Sequence, residues 1–135
     1  MHEPYEKRLN HRADFRVKYR FFSEEEGGRK SLPFQGYRSD FWCPLENQYP
    51  TSIYMIWPEF ETGEGRLLME NNKPVFPTGT AKMWIIMPKT RGYLRDKICI
   101  GLKGYFMEGS RKVAECEVIE IIGLKTNPHE SSPTN

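Results

Sequence analysis

The side chains best suited to acid–base and nucleophilic chemistry are few in this chain, and they lack a catalytic spacing. All three histidines lie near the ends of the sequence, at His2, His11 and His129. The body of the chain therefore offers no histidine for a Ser–His–Asp or Cys–His arrangement, and none to bind zinc or iron. We expect neither catalytic residues nor a metal site.

The cysteines support the same expectation. They are odd in number, far apart and without a C-x-x-C spacing, at Cys43, Cys99 and Cys116. That pattern is not typical of a disulfide framework or a structural zinc site. It predicts three reduced, mostly buried thiols, as in a cytoplasmic protein.

Acidic residues and glycine-rich segments show no catalytic pair and no nucleotide cradle. The glutamates run consecutively at 24–26 or alternate along a predicted strand, as Glu115 and Glu117 do. We therefore interpret them as solvated charges rather than as an acid–base pair. The chain has no G-x-x-x-x-G-K-[ST] segment and no G-x-G-x-x-G that opens a helix. The sequence predicts a non-enzymatic binding module without a cofactor or a nucleotide.

Charge is nearly balanced over the whole chain but uneven along it. The 135 residues carry a net charge of +2, whereas residues 71–112 hold nine basic and two acidic side chains. On one face, these residues would attract an anionic partner; alternating outward along strands, they would merely solvate the surface. No window of about 18 apolar residues suggests a membrane span. The charged N-terminus does not resemble a secretory signal.

The elements that must position any site are predicted to be short strands. From Ala13 to Phe22, apolar and basic side chains alternate, which is the period of a half-buried strand. Further strands are predicted at 37–43, 52–57, 66–70, 80–87, 97–102, 105–108 and 112–122, separated by prolines and glycines. Residues 87–97 are expected to hold at most a turn of helix.

Many short strands with turns between them favour an all-β fold. We predict a single closed antiparallel β-barrel of about six strands over residues 13–124, because closure removes exposed sheet edges. In the last strand, the inward set changes from Ala114, Cys116 and Val118 to Ile119 and Ile121, which indicates a β-bulge. The polar, proline-containing ends, residues 1–12 and 125–135, are expected to be flexible tails.

Three segments together resemble the third domain of bacterial elongation factor Tu. Residues 15–41 read FRVKYRFFSEEEGGRKSLPFQGYRSDF, similar to the family's strand, E-G-G-R loop, aromatic residue and G-Y-R-x-x-F. Residues 106–113, FMEGSRKV, resemble its F-x-x-R-E-G-G-R-T-V hairpin. Residues 77–79 stand where the family has P-G-D before a long strand. In this order, the resemblance covers about residues 15–123.

This resemblance implies a six-stranded antiparallel barrel whose family counterpart contacts the T-stem backbone of aminoacyl-tRNA. It does not imply GTP binding, because the residues for it are not present. By position, the expected contacts to tRNA or another structured RNA are Gly28, Arg29, Lys30, Arg38, Gly109, Ser110, Arg111 and Lys112. Arginine forks, lysine charges and closely approaching glycine amides suit a phosphate backbone.

The chain also departs from the family pattern, which leaves a second function open. Lys30-Ser31-Leu32 replaces H-T-P after the first loop, Ser110 replaces a glycine in the hairpin, and the threonine-rich R-T-x-D-x-T-G is missing. The alternative is a protein-interaction module without RNA or GTP binding, because the family's barrel also packs against protein neighbours. Its candidate anchors, each of which could instead lie in the core, are Trp42, Tyr54, Trp57 and Trp84.

Overall fold

The computed structural model describes residues 1–45 and 53–130, and these form a mostly β structure. Two short helices and six strands follow one another: α1 (Tyr5–Leu9), β1 (Phe15–Phe21), β2 (Asp40–Trp42), β3 (Ile56–Phe60), β4 (Thr78–Ile85), α2 (Pro88–Leu94), β5 (Lys103–Glu108) and β6 (Arg111–Ile121). In β1, alternate residues from Phe15 to Phe21 are buried. The prediction of a predominantly β fold is confirmed.

The six strands form one antiparallel sheet in the order β2-β5-β6-β1-β4-β3. The predicted closed barrel is wrong, because the sheet curls into half of a barrel and leaves β2 and β3 as its edges. Within the described residues, a single bridge joins β2 to the segment before β3, between Phe41 and Tyr54.

The edge strands themselves explain why the sheet stays open. β2 has three residues, and β3 contains Pro58, which has no N–H to donate to a neighbouring strand. The Gln35 side chain covers the outer side of β3: its amide donates to the Phe60 carbonyl (2.9 Å), and the Phe60 N–H donates to its Oε1 (2.9 Å). At Phe60, a side chain together with the Leu68 N–H (3.0 Å) therefore makes the hydrogen bonds that a further strand would make, which protects this part of the edge.

Two predicted strands are absent from the described residues. Residues 66–70 contribute one bridge, between Glu61 and Leu67. Residues 97–102 continue α2 as turns, in which the Ile98 N–H donates to the Leu94 carbonyl (3.1 Å). The helix α2 is also longer than the predicted turn; it begins at Pro88, a residue type whose fixed φ suits the first helical position. The strand predicted at 52–57 begins outside the described residues and overlaps β3 at its end.

One face of the sheet carries the core. Rings of Tyr19, Phe21, Phe60 and Phe106 pack at centroid distances of 5.2–6.4 Å. The bulge predicted in β6 is confirmed: Arg16 lies opposite Glu120 and the next residue of β1 lies opposite Val118, so Ile119 has no partner in this pairing. The bulge permits the change of inward-facing set along β6.

The N-terminal segment, expected to be a flexible tail, packs against the sheet. His2 and Tyr5 are buried, and both bond to the carboxylate of Glu59, through His2 Nε2 (2.6 Å) and the Tyr5 N–H (2.9 Å). Trp84 Nε1 also donates to Glu59 (3.1 Å). Burial of the Tyr5 ring and the hydrogen bonds to Glu59 hold this segment, which its polar sequence predicted to be a flexible tail.

Residues after β6 are held similarly, as far as residue 130. The buried carboxylate of Asp14 accepts from Arg91 Nε (2.6 Å), the Ile85 N–H (2.7 Å) and Asn127 Nδ2 (2.9 Å). This network joins β4, α2 and the C-terminal segment. Residues 131–135 of the predicted tail lie outside the described residues. Neither described helix is long and apolar enough to cross a bilayer.

Candidate nucleic-acid interface

The first predicted RNA-contacting segment is a tight loop built by its own side chains. The Glu26 N–H donates to Ser23 Oγ (3.2 Å), and the Ser23 N–H donates to Glu26 Oε1 (2.8 Å). This reciprocal pair is the capping arrangement that serine and glutamate make at this spacing. Gly27 then takes a positive φ of 94°, which glycine adopts without strain. The local sequence therefore accounts for the loop.

Gly28 has a packing role that the sequence did not reveal. A side chain there would place its Cβ 2.2 Å from the Phe22 carbonyl oxygen, and its own N–H already donates to Ser23 (2.8 Å). The residue is buried. Gly28, predicted to let an RNA backbone approach, is instead approached by the backbone of its own chain.

The two predicted loops converge on one carboxylate. Glu108, at the end of β5, accepts a hydrogen bond from Arg29 of the first loop through Oε2. Through Oε1, it accepts one from Arg111 of the hairpin (3.4 Å). Gly109, with a φ of 60°, turns the chain between β5 and β6. We call the exposed cations of these two segments, Lys30 of the first loop and Arg111 and Lys112 of the hairpin, the loop–hairpin surface.

Arg29 is held more tightly than its neighbours. Its guanidinium binds Glu108, lies 5.0 Å from the Tyr37 ring and donates from Nε to the Ser31 carbonyl (3.0 Å). Burial alone would raise the pKa of Glu108, but hydrogen bonds from Tyr37 and Arg29 outweigh it and lower that pKa. Burial and the hydrogen bond to Glu108 raise the pKa of Tyr37. Arg29 therefore joins the two loops instead of presenting an unpaired charge.

Arg38 does not share this junction. Its guanidinium lies 4.3 Å from the centroid of the Trp57 ring on β3. The resemblance grouped Arg38 with Arg29 and Arg111, but its aromatic partner lies on β3, away from the carboxylate that those two residues share. Ser110 lies with the hairpin, between Gly109 and Arg111, and is exposed.

A groove of about 410 Å³ lies beside the first loop. Arg20, Arg29 and Lys30 line it together with Glu24 and Glu26. Arg20 is bound by Glu26 (3.0 Å), and the hydrogen bond from Arg20 is the main cause that lowers the pKa of Glu26 to about 2. Arg20 and Arg29 are paired with carboxylates, whereas Lys30 forms no ion pair within the described part of the chain and is the available cation of this groove.

The basic block at 71–112 is divided among different surroundings. Arg91 is buried against Asp14, and Lys73 pairs with Glu70 at 3.4 Å. Arg95 donates to the Lys125 carbonyl near the C-terminal segment (3.0 Å). Arg111 and Lys112 contribute to the loop–hairpin surface. The block therefore does not form one exposed positive face, because some of its members are buried or paired with carboxylates.

The four candidate interface aromatics have different environments. Trp84 has 0% exposure and bonds to Glu59, so its assignment as a surface anchor is wrong. Trp57 is half-buried beneath Arg38. Tyr54 is half-buried, bridged to Phe41 and 6.3 Å from the Tyr93 ring.

Trp42 is half-buried and stacks on Tyr105 with a centroid distance of 5.9 Å and an interplanar angle of 29°. Sequence reasoning missed Tyr105 and the bridging role of Glu108. The available signal was their place on β5: Tyr105 alternates with the core residue Phe106, and Glu108 immediately precedes the hairpin glycine.

No group of three His, Cys, Asp or Glu side chains is placed to hold a metal among the residues that the structure describes. In comparisons with known proteins, no family model matches the chain. No curated protein matches it either.

Proposed function

We propose that this protein is a non-enzymatic module that binds structured, tRNA-like RNA through its sugar–phosphate backbone. The observation that supports the proposal best is the convergence of both loops on Glu108, through Arg29 and Arg111. A relationship to the third domain of elongation factor Tu is part of this proposal. It rests on the ordered motifs and on the six antiparallel strands.

The chemistry of the loop–hairpin surface suits phosphate. The Arg111 side chain is 55% exposed and can present a fork of N–H groups. Lys30 in the first loop and Lys112 in the hairpin add exposed point charges. Contacts of this kind position an RNA without reading its bases, so recognition rests on backbone shape and 2′-hydroxyls.

Salt dependence provides the quantitative expectation. Three phosphate contacts give a slope of about −2.7 in log affinity against log salt, or a loss of about 40-fold between about 50 and about 200 mM. Replacing Lys30 by alanine removes one contact and reduces that loss to about 12-fold. Filter binding of a labelled tRNA at the two salt concentrations measures both quantities.

Matched variants separate the proposed surface from general charge. Lys30→Ala and Arg111→Ala are expected to weaken binding and flatten the salt dependence. Lys89→Ala and Lys125→Ala remove the same charge from exposed positions outside both loops, and they are expected to change RNA affinity and its salt dependence less. Equal losses in all four variants, or no binding by the wild type at low salt, would refute the proposal.

A second candidate function is docking of a protein partner. It is favoured by exposed apolar side chains around Tyr54: Met55 is 44% exposed, Met87 50% and Tyr93 40%. Aromatic residues and methionine are enriched at such interfaces. A nuclease-resistant interaction that Met55→Asp abolishes, with tRNA binding absent, would favour this function over RNA binding.

A further inference from the structure

A row of aromatic rings crosses the sheet on the face opposite the core. Trp42 on β2 lies opposite Tyr105 on β5, and the rings stack at 5.9 Å. Phe22, directly after β1, lies 6.4 Å from Tyr105. All three are half-buried, whereas their sequence neighbours Phe41 and Phe106 are fully buried in the core. We call Trp42, Tyr105 and Phe22 the aromatic row.

Two cations flank these rings. Lys112 Nζ lies 4.1 Å from the Tyr105 centroid and 5.3 Å from that of Trp42. Arg20 lies 5.1 Å from the Phe22 centroid, but Glu115 neutralises it at 2.9 Å. Lys112 forms no ion pair within residues 1–45 and 53–130. Lys112 is therefore the cation of the row that an anionic ligand can share.

Packing within the sheet explains part of this arrangement, since cross-strand aromatic pairs stabilise sheets. It leaves the indole N–H of Trp42 unexplained. That group is covered, and no acceptor is recorded for it among the described residues. A buried indole N–H usually has a hydrogen-bond partner. Trp42 therefore combines a half-buried stacking surface with a covered N–H that has no acceptor among the described residues.

We propose that the aromatic row stacks unpaired bases of an RNA strand that extends from the loop–hairpin surface. This inference rests on the proposed function and adds the ligand chemistry: single-stranded nucleotides adjoining a structured stem. Lys112 belongs to both surfaces. A phosphate bound beside it would therefore join the part of the RNA held by its backbone to the part whose bases stack on the rings. Aromatic rings interleaved with cations are the usual platform for single strands, because every base has a π face.

Three RNA probes test the proposal on the full chain: a blunt stem–loop, the same stem–loop with a 3′ tail of about six uridines, and one with an abasic tail of equal length. The uridine tail is expected to strengthen binding about tenfold over the blunt probe, and the abasic tail much less. It should also quench tryptophan fluorescence in the wild type. This readout requires no substitution.

Variants locate the effect. Trp42→Leu and Tyr105→Leu keep apolar contact and are expected to abolish the gain from the uridine tail. Trp57→Leu is the matched control, because Trp57 is also half-buried under a cation, Arg38. Thermal unfolding identifies any variant that fails to fold. If a variant does not fold, the quenching of wild-type fluorescence by the uridine-tailed probe still decides the question.

The outcomes distinguish this inference from the proposed function. Equal binding of all three probes would overturn base stacking and leave backbone binding intact. Binding of the uridine-tailed probe without binding of the blunt one would support stacking and refute recognition of the stem. Loss of the gain in Trp57→Leu as much as in Trp42→Leu would also overturn the assignment to the aromatic row.

Discussion

Replacing Glu108 by glutamine is expected to change stability and RNA affinity in opposite directions. The carboxylate binds Arg29, Tyr37 and Arg111, so its neutralisation weakens the junction between the two loops. Hydrogen bonds to charged groups contribute about 1.5–3 kcal/mol. Glutamine keeps an acceptor, and the Glu108 and Arg29 side chains are 28% and 29% exposed. We therefore expect a loss of about 1–2 kcal/mol in the free energy of unfolding.

The same substitution releases cations for RNA. Under the proposed function, Arg29 freed from the carboxylate is expected to supply a fourth phosphate contact beside those of Lys30, Arg111 and Lys112. Four contacts steepen the salt slope to about −3.6, so the loss of affinity between about 50 and about 200 mM salt grows from about 40-fold to about 150-fold. At the lower salt concentration, Glu108→Gln should bind tRNA more tightly than the wild type does.

The stability difference should depend on pH. Interactions with Tyr37 and Arg29 lower the pKa of Glu108 from its ordinary value of 4.5, despite the opposing effect of burial. A carboxylate with a lowered pKa stabilises the folded state above its unfolded pKa, and this stabilisation is lost as the pH falls through the folded value. Wild type and variant should therefore differ fully above the ordinary pKa of Glu108 and converge as the pH falls from there through its lowered folded pKa.

Urea unfolding across this pH range and filter binding at two salt concentrations measure these effects. Glu64→Gln is the control, because it changes net charge equally from an exposed turn. An unfolding free energy that does not change in Glu108→Gln would show that the carboxylate does not hold the loops. A salt slope equal to that of Glu64→Gln would show that no cation was released for RNA.

Three further substitutions or reagents test other parts of the structure. Gly28→Ala should lower the free energy of unfolding by at least about 2 kcal/mol, because the new Cβ would meet a backbone oxygen at 2.2 Å. At Gly63 a Cβ would have nothing within 4 Å, so Gly63→Ala should change that free energy by less than about 1 kcal/mol. Thermal unfolding compares the two variants. Asp14→Asn should cost about 3–5 kcal/mol in urea unfolding, because it leaves a buried arginine without its countercharge, and a near-neutral result would contradict this. A thiol reagent at pH 8 should label the exposed Cys99 rapidly in the native protein, and all three cysteines only after denaturation. Cys43 and Cys116 are buried, and burial raises the pKa of the Cys43 thiol to about 12. Fast labelling of more than one thiol in the native protein would contradict these buried positions.

Local features of the fold could be predicted wherever neighbouring residues suffice to specify them. The alternation in β1, the bulge at Ile119 and the turns at Gly27 and Gly109 depend on side-chain period and on glycine's access to positive φ. Residues 97–102 were predicted wrongly as a strand. Their apolar character is equally compatible with a turn that buries Ile98 after α2.

The candidate site was only partly predictable, because its contacts join residues that are far apart in the sequence. The sequence marked Arg29 and Arg111 as neighbours of glycines but could not show that both bind Glu108. It also could not distinguish Trp84, inside the protein, from Trp42, on the outer face. Such assignments depend on which strands pair, and pairing is a long-range property.

By itself, the sequence determined the β character of the chain, the positions of its tight turns and the scarcity of catalytic side chains. The tertiary structure alone decided that the sheet stays open, that the N-terminal segment packs around Glu59, and that the two basic loops meet at one carboxylate. Turn and strand preferences act between residues close in the chain. Edge pairing, burial and ion pairing act between residues that only the folded chain brings into contact.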